Sequence, residues 1–559
     1  MYTQQFDPVS SSLGLSSIFA VLPILALFVL LGGLRLAAQW AALIALGVAM
    51  LVAMIVYDMP VGQTALSASE GAAFGLFPIM WIVVTAIWIY NMTVETGYFA
   101  VLRRSFASIS DDQRVQAVII AFCFGALLEA LAGFGTPVAI TSVFLIGLGF
   151  RPIKAASVAL VANTAPVAFG AIAIPIVTLA DITGLPKDDL GAMVGRQTPF
   201  LALIVPLILI AMVDGARGIR QTWPAAAVGG LVFAVGQYAC SNFISVELTD
   251  IVASLTSTAA LVLLLRVWQP SEPLIGEMGG HAARPAVAGA EAHNPSLEAD
   301  VNRRDDTRKD PPADVFRAYA PYLIVIAVLS IAQIPAVKDK LVEKPWTTTF
   351  QWPGLDVVNP DGDAITSLTY NVNWLPAAGT LLLISGLITM AVLRVSPGRS
   401  VRTFAATLDQ LKWAILTVAS VLALAYVMNQ SGQTITLGLW AAGAGGVFAF
   451  LSGLIGWLGV AVTGSDTSSN ALFGGLQVAA AKDAGISPTL LAAANSSGGV
   501  LGKMISPQNL AIGAAAVGMA GQEGDLFRRV VKWSILLVLI MSALVYLQST
   551  AVLDWMVVK

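Results

Sequence analysis

The sequence predicts an all-α polytopic membrane protein with about 12 transmembrane helices plus two re-entrant hairpins, arranged in two inverted repeats. The first observation behind this prediction is composition, since 57% of the 559 residues are hydrophobic and 11% are charged. A soluble domain cannot bury that much apolar surface, so lipid must surround most of the chain. The second observation is a skeleton, Asn-x6-Gly-x4-Pro, that occurs in both halves, at Asn163…Gly170…Pro175 and Asn495…Gly502…Pro507.

The same composition excludes several classes of partner. The net charge is −3, and the basic residues form no patch interleaved with aromatic residues, which excludes nucleic acid. His281 and His293 fall in a polar segment, so we expect no metal and no cofactor, and a proton crossing the membrane would have to use carboxylates. Cys123 and Cys240 lie in or near apolar segments, which favours buried thiols over a disulfide.

Apolar windows long enough to cross about 30 Å of hydrocarbon define the spans. In the first half they run over 16–34, 36–57, 72–94, 155–180, 197–213, 222–240 and 246–266, and in the second half over 317–335, 373–394, 409–428, 488–516 and 528–550. The first window lacks a basic n-region and a small-x-small cleavage site, so we interpret it as a retained span. Two further apolar regions, 115–149 and 437–481, contain glycine-rich breaks and are predicted to be the hairpins.

Polar segments divide the chain into three parts. Residues 1–268 form an N-terminal membrane half with the first hairpin and broken helix, and residues 318–559 form a C-terminal half with the second. Residues 269–317 between them are rich in Pro, Ala and charged residues and are predicted to be a cytoplasmic tether. Residues 336–372 contain turn signals and are predicted to be an external loop that packs as a cap.

The distribution of charged residues predicts the orientation, because basic residues concentrate on the cytoplasmic side. With both termini outside, the cytoplasmic set is Arg35, Arg103, Arg104, Arg114, Arg151, Lys154, Arg217, Arg220, Arg394, Arg399, Arg402, Arg528 and Arg529. The outside set is then mainly acidic: Asp58, Glu70, Asp181, Asp188, Asp189, Glu247 and Asp250, with a few lysines such as Lys338 and Lys340. The two hairpins then open to opposite sides, which is the arrangement of an inverted repeat.

The glycine-rich breaks are the first candidate binding segments. They read Gly133-Phe134-Gly135-Thr136-Pro137 and Gly464-Ser465-Asp466-Thr467-Ser468-Ser469-Asn470. Backbone that leaves helical geometry at membrane depth must be buried or line a wet cavity. Each break would start a short helix, 138–149 or 469–481, whose N-terminal amides favour anions. The candidate substrate ligands here are Gly135, Thr136, Ser465, Thr467 and Ser468; the alternative is a pair of kinked helices packed through small residues.

The two repeated skeletons are the second set of candidates. Pro166 removes a backbone donor in the first, and the Gly498-Gly499 pair loosens the second. Freed carbonyls and nearby side chains could then contact a substrate, and the candidates are Asn163, Thr164, Asn495 and Ser496. The alternative is a hinge in which each Asn satisfies stray backbone groups.

Ionisable residues at membrane depth are the third signal, because each costs about 2.5–3.5 kcal/mol at the bilayer centre. Lys503 is predicted to pair with a substrate carboxylate, with Asp466 or with Glu129. Glu129 is the first candidate for the proton-carrying group and Asp466 the second, while Glu95 is a weaker one near a span end. Arg196 is better explained as an interface residue than as an anion ligand.

Two segments resemble the L-lactate permease family: Gly125-Ala-Leu-Leu-Glu129-Ala-Leu-Ala-Gly133-Phe-Gly135-Thr-Pro137 and Ser506-Pro507-Gln508-Asn509-Leu510-Ala511-Ile512-Gly513. The resemblance extends over nearly the whole chain, apart from the linker and the external loop. It implies a carrier in the bacterial inner membrane that moves lactate, and often glycolate, together with protons. It also implies kinship with the ion-transporter superfamily, in which paired hairpins and broken helices form the substrate site.

The predicted function is import of L-lactate, with D-lactate and glycolate as further substrates, by proton symport. Moving one anion inward against the membrane potential costs roughly 2.3 kcal/mol per 100 mV, and one proton makes the transported unit neutral. The partners are then a small 2-hydroxymonocarboxylate and the bilayer. The alternative is a sodium-coupled carboxylate transporter, and a channel is less compatible with broken helices. The sequence predicts no enzyme, since no catalytic constellation lies within the spans.

Overall fold

Helices account for nearly all the regular structure of the protein. The computed structural model describes residues 1–274 and 310–559, except Arg35, Ala132, Phe134, Val342, Asp361, Gly521 and residues 363–364, 366–367 and 520. The predicted charge run at 303–306 and both histidines therefore lie outside the described residues. The first helix after the linker begins at Pro312, within the predicted linker, because proline is favoured at the first helical position.

The described helices of the first half follow one another with short connections. They are α1 Leu13–Ala20, α2 Leu22–Phe28, α3 Ala38–Ile55, α4 Val61–Phe74, α5 Trp81–Glu95, α6 Tyr98–Ala107, α7 Gln113–Gln116, α8 Gly125–Leu131, α9 Thr136–Gly147, α10 Pro152–Ala162, α11 Gly170–Thr183, α12 Lys187–Val194, α13 Pro199–Phe243 and α14 Thr249–Val267. Turns of π-helix at Val29–Gly33 and Ala117–Phe124 extend α2 and join α7 to α8. The segment Gly75–Met80 connects α4 to α5 but leaves helical geometry at Phe77.

The second half adds a small cap of strands to its helices. Its described helices are α15 Pro312–Gln333, α16 Pro335–Leu341, α17 Ala378–Val392, α18 Pro397–Ser431, α19 Gln433–Ala442, α20 Phe448–Thr463, α21 Asp466–Asp483, α22 Pro488–Gly502, α23 Pro507–Ala516 and α24 Glu523–Gln548. The strands are β1 Tyr2–Thr3, β2 Thr348–Gln351, β3 Val357–Val358 and β4 Thr369–Val372. β1 pairs with β3 in parallel, and β2 pairs with β4 antiparallel.

The described residues form 10 helices that are long and apolar enough to cross a membrane, or 11 with the bent pair Pro152–Ala162 and Val167–Thr183. The protein is thus a multi-pass helical membrane protein, as predicted. The difference from about 12 spans has two causes. The windows 197–213 and 222–240 fall within the single stretch Lys187–Phe243, although its backbone leaves helical geometry between them at Asp214, Gly215 and Thr222, and α17 has only 15 residues. Re-entry of the two hairpins into one membrane face stays a prediction.

Members of the two predicted sets of charged residues lie at opposite ends of the stretch Val61–Glu95, which is interrupted at Phe77. At one end, next to Asp58, the Tyr2 hydroxyl donates to the carbonyls of Tyr57 (3.0 Å) and Ser431 (2.9 Å), and β1 pairs with β3 of the predicted external loop. At the other end Arg399 pairs with Glu95 at 3.3 Å. We call the first end the cap end; which compartment it faces stays a prediction.

Three acids that were expected outside lie beneath the surface near the cap end. Glu70 and Asp250 are each 1% exposed, and Asp181 accepts a hydrogen bond from Tyr426 within the bundle. Their burial follows from helices that extend beyond the apolar windows: α4 already begins at Val61, whereas the window began at residue 72. Their predicted placement on the outer side of the membrane stays a prediction.

A buried arginine organises the opposite end. Arg114 is 1% exposed and binds Asp112 at 2.6 Å and Asp214 at 3.0 Å. Asp112 also accepts hydrogen bonds from the amides of Arg114 and Leu274. Burial alone would raise the pKa of Asp112, but these hydrogen bonds and the guanidinium charge outweigh it and hold the pKa below its ordinary value.

The two halves pack on each other reciprocally. Helix α11 of the first half packs on α21, the second arm of the second hairpin, and Asn470 donates to the carbonyl of Pro175 at 3.1 Å. Helix α23 of the second half packs on α9, the second arm of the first hairpin, where Gly135 meets Ile512. Such exchange of equivalent contacts is what a twofold relation between two repeats produces. This packing brings the glycine-rich break and the broken helix of each half to the centre of the molecule.

Candidate functional site

An ion pair between the two halves lies at the centre of the site. Lys503 Nζ lies 2.6 Å from Glu129 Oε1, and the two side chains are only 8% and 3% exposed. Lys503 belongs to a 3₁₀ turn between α22 and α23, and Glu129 belongs to α8 in the first hairpin. Of the three partners predicted for Lys503, namely a substrate carboxylate, Asp466 and Glu129, the structure pairs it with Glu129, and contact with a substrate stays a prediction. Neither half contains this pair alone.

Local sequence explains why the backbone turns at Lys503. The Ser506 hydroxyl donates to the Lys503 carbonyl at 3.0 Å and accepts from the Asn509 amide at 3.3 Å. Ser506 is thus the N-cap of α23, and Pro507 occupies its first turn. Helix α22 therefore stops at Gly502, and a new helix starts five residues later, at Pro507, with its N-terminus close to the ion pair.

Glycine makes the room that Glu129 occupies. A Cβ added at Gly170 would lie 2.7 Å from Glu129 Oε1. The three residues after Gly170, Ala171–Ala173, all have left-handed backbone with φ between 44° and 59°. A left-handed turn of L-residues costs roughly 1–2 kcal/mol per residue, so surrounding packing must hold it in place. The skeleton glycine and the residues after it therefore shape the site.

A second buried acid lies at the break of the other hairpin. Asp466 is 3% exposed and accepts a hydrogen bond from the Ser496 hydroxyl at 2.5 Å through Oδ2. Its Oδ1 is buried without a hydrogen-bond partner, and a Cβ added at Gly499 would lie 2.4 Å from it. The Ser465 hydroxyl accepts from the Ser468 amide at 3.2 Å and caps α21.

These groups face a common cavity of about 230 Å³. Its polar lining is Gln39, Glu129, Thr417, Thr463, Ser465, Asp466, Thr467, Ser468, Lys503, Gln508 and Asn509. Its apolar and backbone lining includes Gly133, Gly170, Ala171, Pro175, Trp413 and Gly464. Pockets for drug-sized ligands run from about 300 to 1,000 Å³, so this cavity suits a smaller molecule. Lys503, the hydroxyls and the N-terminus of α21 favour a small anion, whereas Glu129 and Asp466 oppose one unless they are protonated.

Six of the predicted site residues line this cavity, namely Glu129, Ser465, Asp466, Thr467, Ser468 and Lys503. The other six do not line it. Ser496 acts on the cavity through Asp466, and Gly135 packs on Ile512 and Asn509. Thr136 starts α9, and the Thr164 hydroxyl donates to the Val161 carbonyl at 2.7 Å.

The two skeleton asparagines differ from each other. Asn495 donates to Asn470 at 2.9 Å and accepts from Gln477 at 3.2 Å, so it ties α22 to the second hairpin. Asn163 is 4% exposed, and neither of its side-chain polar atoms has a hydrogen-bond partner. Direct contact of either one with substrate stays a prediction, since both lie behind the cavity lining.

The weaker candidates lie far from the cavity. Glu95 pairs with Arg399 and accepts from Thr403 at 2.9 Å. Arg196 donates to Asn242 and to the carbonyl of Met556, each at 3.0 Å, so it fastens the chain near its end. Both roles are structural. Cys123 and Cys240 are free and buried.

Several lining residues were not selected from the sequence. Gln508 and Asn509 lie in the segment that carries the family resemblance, and Gly170 belongs to the repeated skeleton, so a signal existed for these. Trp413 and Thr417 come from α18, which has no break and no intramembrane charge. No feature of the sequence distinguishes them from other residues of a long helix.

Comparison with known proteins identifies the family. The sequence profile described as L-lactate permease matches residues 16–552. The chain belongs to the L-lactate permease family. An L-lactate permease of Bacillus subtilis (strain 168) is 42% identical over 581 residues, covering 100% of both chains. The Glycolate permease GlcA of Escherichia coli (strain K12) is 42% identical over 562 residues, covering 98% of each.

A solved structure, that of Neisseria gonorrhoeae MtrF, is similar at a TM-score of 0.48 and 14% identity, covering 89% of this chain and 85% of that one. A likeness of that size supports no conclusion about function. Membership in a permease family makes the protein a transporter rather than an enzyme.

Proposed function

We propose that the protein imports L-lactate, and also D-lactate and glycolate, together with protons across the bacterial inner membrane. The observation that carries this proposal is the buried Lys503–Glu129 pair in the wall of a small polar cavity. The names of the relatives, L-lactate permease and glycolate permease, support the substrate class. Both substrates are small 2-hydroxymonocarboxylates, which match the size of the cavity and could pair with Lys503 once a proton neutralises Glu129.

The charges of the ion pair supply a reason for coupling. In the ion pair one ammonium and one carboxylate are in close contact, and Asp466 lines the same cavity. A substrate anion that bound alone would bring a further negative charge next to Lys503, and a proton that bound Glu129 alone would leave Lys503 unpaired. An unpaired buried charge costs several kcal/mol. Substrate and proton together leave the net charge of the site unchanged, since the substrate carboxylate replaces Glu129 as the partner of Lys503.

We assign roles to the other groups that line the cavity. The hydroxyls of Thr467 and Ser468 and the first-turn amides of α21 donate to the substrate carboxylate beside Lys503. The side-chain amides of Gln508 and Asn509 are placed to bind the 2-hydroxyl group. Asp466, held by Ser496, is the second carboxylate available for a proton. The turn at Ala171–Ala173 supplies backbone that can rearrange when the site closes.

Uptake of labelled L-lactate into vesicles that contain the purified protein tests this function. We expect accumulation when the outside is more acidic, loss of accumulation with a proton ionophore, and competition by D-lactate and glycolate. Replacing Na⁺ by K⁺ should change nothing, and a requirement for Na⁺ would instead support the sodium-coupled alternative. Lys503→Met should abolish uptake, whereas Lys482→Met, at an exposed lysine of α21, should not. Absence of lactate and glycolate uptake by the unaltered protein would refute the proposal.

A further inference from the structure

Asp250 is a buried carboxylate that the proposed transport cycle does not yet use. It is 1% exposed and lies in the first turn of α14. Its Oδ1 accepts a hydrogen bond from Gln237 Nε2 at 3.0 Å, but its Oδ2 is buried without a partner. Among the ion pairs of the described residues, none includes Asp250. A buried acid in a membrane protein with no cation beside it needs a functional explanation.

The surroundings of Asp250 connect it to the first break and to Glu129. Gln237 Nε2 also reaches the Ala165 carbonyl at 3.4 Å, so Asp250 lies against the break that follows Asn163. Helix α8 packs on α14, and Glu129 is close enough to interact electrostatically with Asp250. Glu129 Oε2 and both polar atoms of Asn163 are buried and without partners, like Asp250 Oδ2. Unsatisfied polar atoms thus belong to both carboxylates and to the asparagine two residues before Ala165, and a proton or a water would satisfy them.

Asp250 also lies on the side of the site that leads to the cap end. Glu247, three residues earlier, forms an ion pair with Lys187. The neighbouring Asp188 lies 3.7 Å from Lys338 of the external loop region and is 66% exposed. The exposed Asp188 therefore brings solvent within a few residues of Asp250. Asp250 itself does not line the substrate cavity.

The titratable groups described around Asp250 are acids, so a proton is the positive charge that can neutralise its carboxylate. The carboxyl of Glu129 on α8 and the thiol of Cys240 on α13 interact with it, and Glu247 in the preceding loop interacts with the same thiol. All three are acids. The N-terminus of α14 supplies only partial positive charge.

We propose that Asp250 is a second proton-binding site, which loads a proton from the cap end and passes it to Glu129 without involving the substrate cavity. Water at the cap end protonates the Asp250 carboxylate. The proton then moves to Glu129, across the space beside Asn163, and Asp250 returns to the carboxylate form. Glu129, once neutral, releases Lys503 to the substrate. This inference rests on the proposed function, because it assumes that Glu129 takes up the coupled proton.

The test separates net proton-coupled transport from exchange. Asp250→Asn keeps the size of the side chain and its contact with Gln237 but cannot carry a proton. In vesicles, this variant should lose accumulation of labelled L-lactate in response to a pH gradient. It should retain counterflow of labelled against unlabelled L-lactate at equal pH, because exchange requires no net proton movement. Asp250→Glu should restore accumulation, and the exposed control Asp188→Asn should behave like the unaltered protein.

A second measurement detects the proton itself and does not depend on substrate. Infrared spectra of the purified protein in H₂O and D₂O should contain a carbonyl band from a protonated carboxyl group that Asp250→Asn removes. The inference would be overturned if Asp250→Asn accumulated lactate with unchanged pH dependence. It would also be overturned if the variant lost accumulation and counterflow to the same extent, or if its infrared band were unchanged. Absence of counterflow in the unaltered protein would refute the proposed function instead, and the infrared band would still decide whether Asp250 binds a proton.

Discussion

Replacing Glu129 by Gln leaves the ammonium of Lys503 buried without a counter-charge. The two groups are 2.6 Å apart and at most 8% exposed, so water cannot take over the role of the carboxylate. Removing one partner of a buried ion pair costs about 3–5 kcal/mol, because the remaining charge is uncompensated. We therefore expect Glu129→Gln to lower the free energy of unfolding by about that amount in the absence of substrate.

The double variant Glu129→Gln/Lys503→Met supplies the control for this value. It removes both charges at once, so most of the lost stability should return, and the difference measures the coupling between the two side chains. Thermal unfolding in detergent, followed by the fluorescence of the 13 tryptophans, provides the measurement. L-Lactate should stabilise Glu129→Gln more than the unaltered protein, because its carboxylate takes the free position beside Lys503. At a hundredfold excess over Kd the gain is about 2.7 kcal/mol.

Two results would refute this reasoning. A cost of Glu129→Gln below about 1 kcal/mol, the value of an exposed pair, would mean that the pair is not buried in the folded protein. A double variant as unstable as the sum of the two single variants would mean that the two charges do not compensate each other.

Three further changes should each act on a different part of the structure. Gly170→Ala places a methyl group 2.7 Å from Glu129 Oε1, so it should reduce pH-driven lactate uptake more than it reduces stability in thermal unfolding. Ser496→Ala removes the hydrogen bond to Asp466 and should lower the free energy of unfolding by about 1–3 kcal/mol, measured in the same way. The pKa of Asp112 is lowered in the folded protein, so its stabilising contribution is present at neutral pH and is lost as the pH falls through that pKa. Asp112→Asn should remove this contribution at neutral pH. The unfolding temperature of the variant should therefore depend less on pH on the acid side.

Matched controls accompany these three predictions. Gly147→Ala introduces a methyl group with no atom within 4 Å and should leave uptake unchanged, so equal loss in both glycine variants would count against a specific effect on Glu129. Ser549→Ala, at a surface serine after α24, should cost little compared with Ser496→Ala. Asp409→Asn, at an acid that is 77% exposed, should not alter the acid side of the stability profile.

The sequence identified the charged groups of the site because ionisable residues are costly at membrane depth. Glu129, Asp466 and Lys503 were selected on that ground, and all three line the cavity. Their pairing could not be predicted, since the choice between the two acids depends on how the halves pack. Gly170 was visible as part of the repeated skeleton, but its function as the space for the Glu129 carboxylate depends on a contact between α8 and α11.

The side chains that the sequence could not place show what hydropathy does not contain. An apolar window gives the depth of a residue but not the direction of its side chain around the helix, so the hydrogen bonds of Asn495 to Asn470 and Gln477 could not be predicted, and its contact with substrate stays a prediction. Windows also end before the helices do, so the burial of Glu70 and Asp250 could not be predicted either. The inverted membrane orientation of the two halves stays a prediction, which charge counting supports.

The separation of Glu129 and Lys503 along the chain has a consequence for biosynthesis. Lys503 is 374 residues after Glu129, so at about 5–20 residues per second the ribosome completes it roughly 20 to 75 seconds later. Throughout that interval the first half is in the membrane with a carboxyl group that has no cation to meet it. The nascent segment must therefore stay near water, bind a proton or be held by an insertion factor until the second half arrives. Prematurely terminated chains would keep this unpaired acid, by which membrane proteases could distinguish them from finished protein.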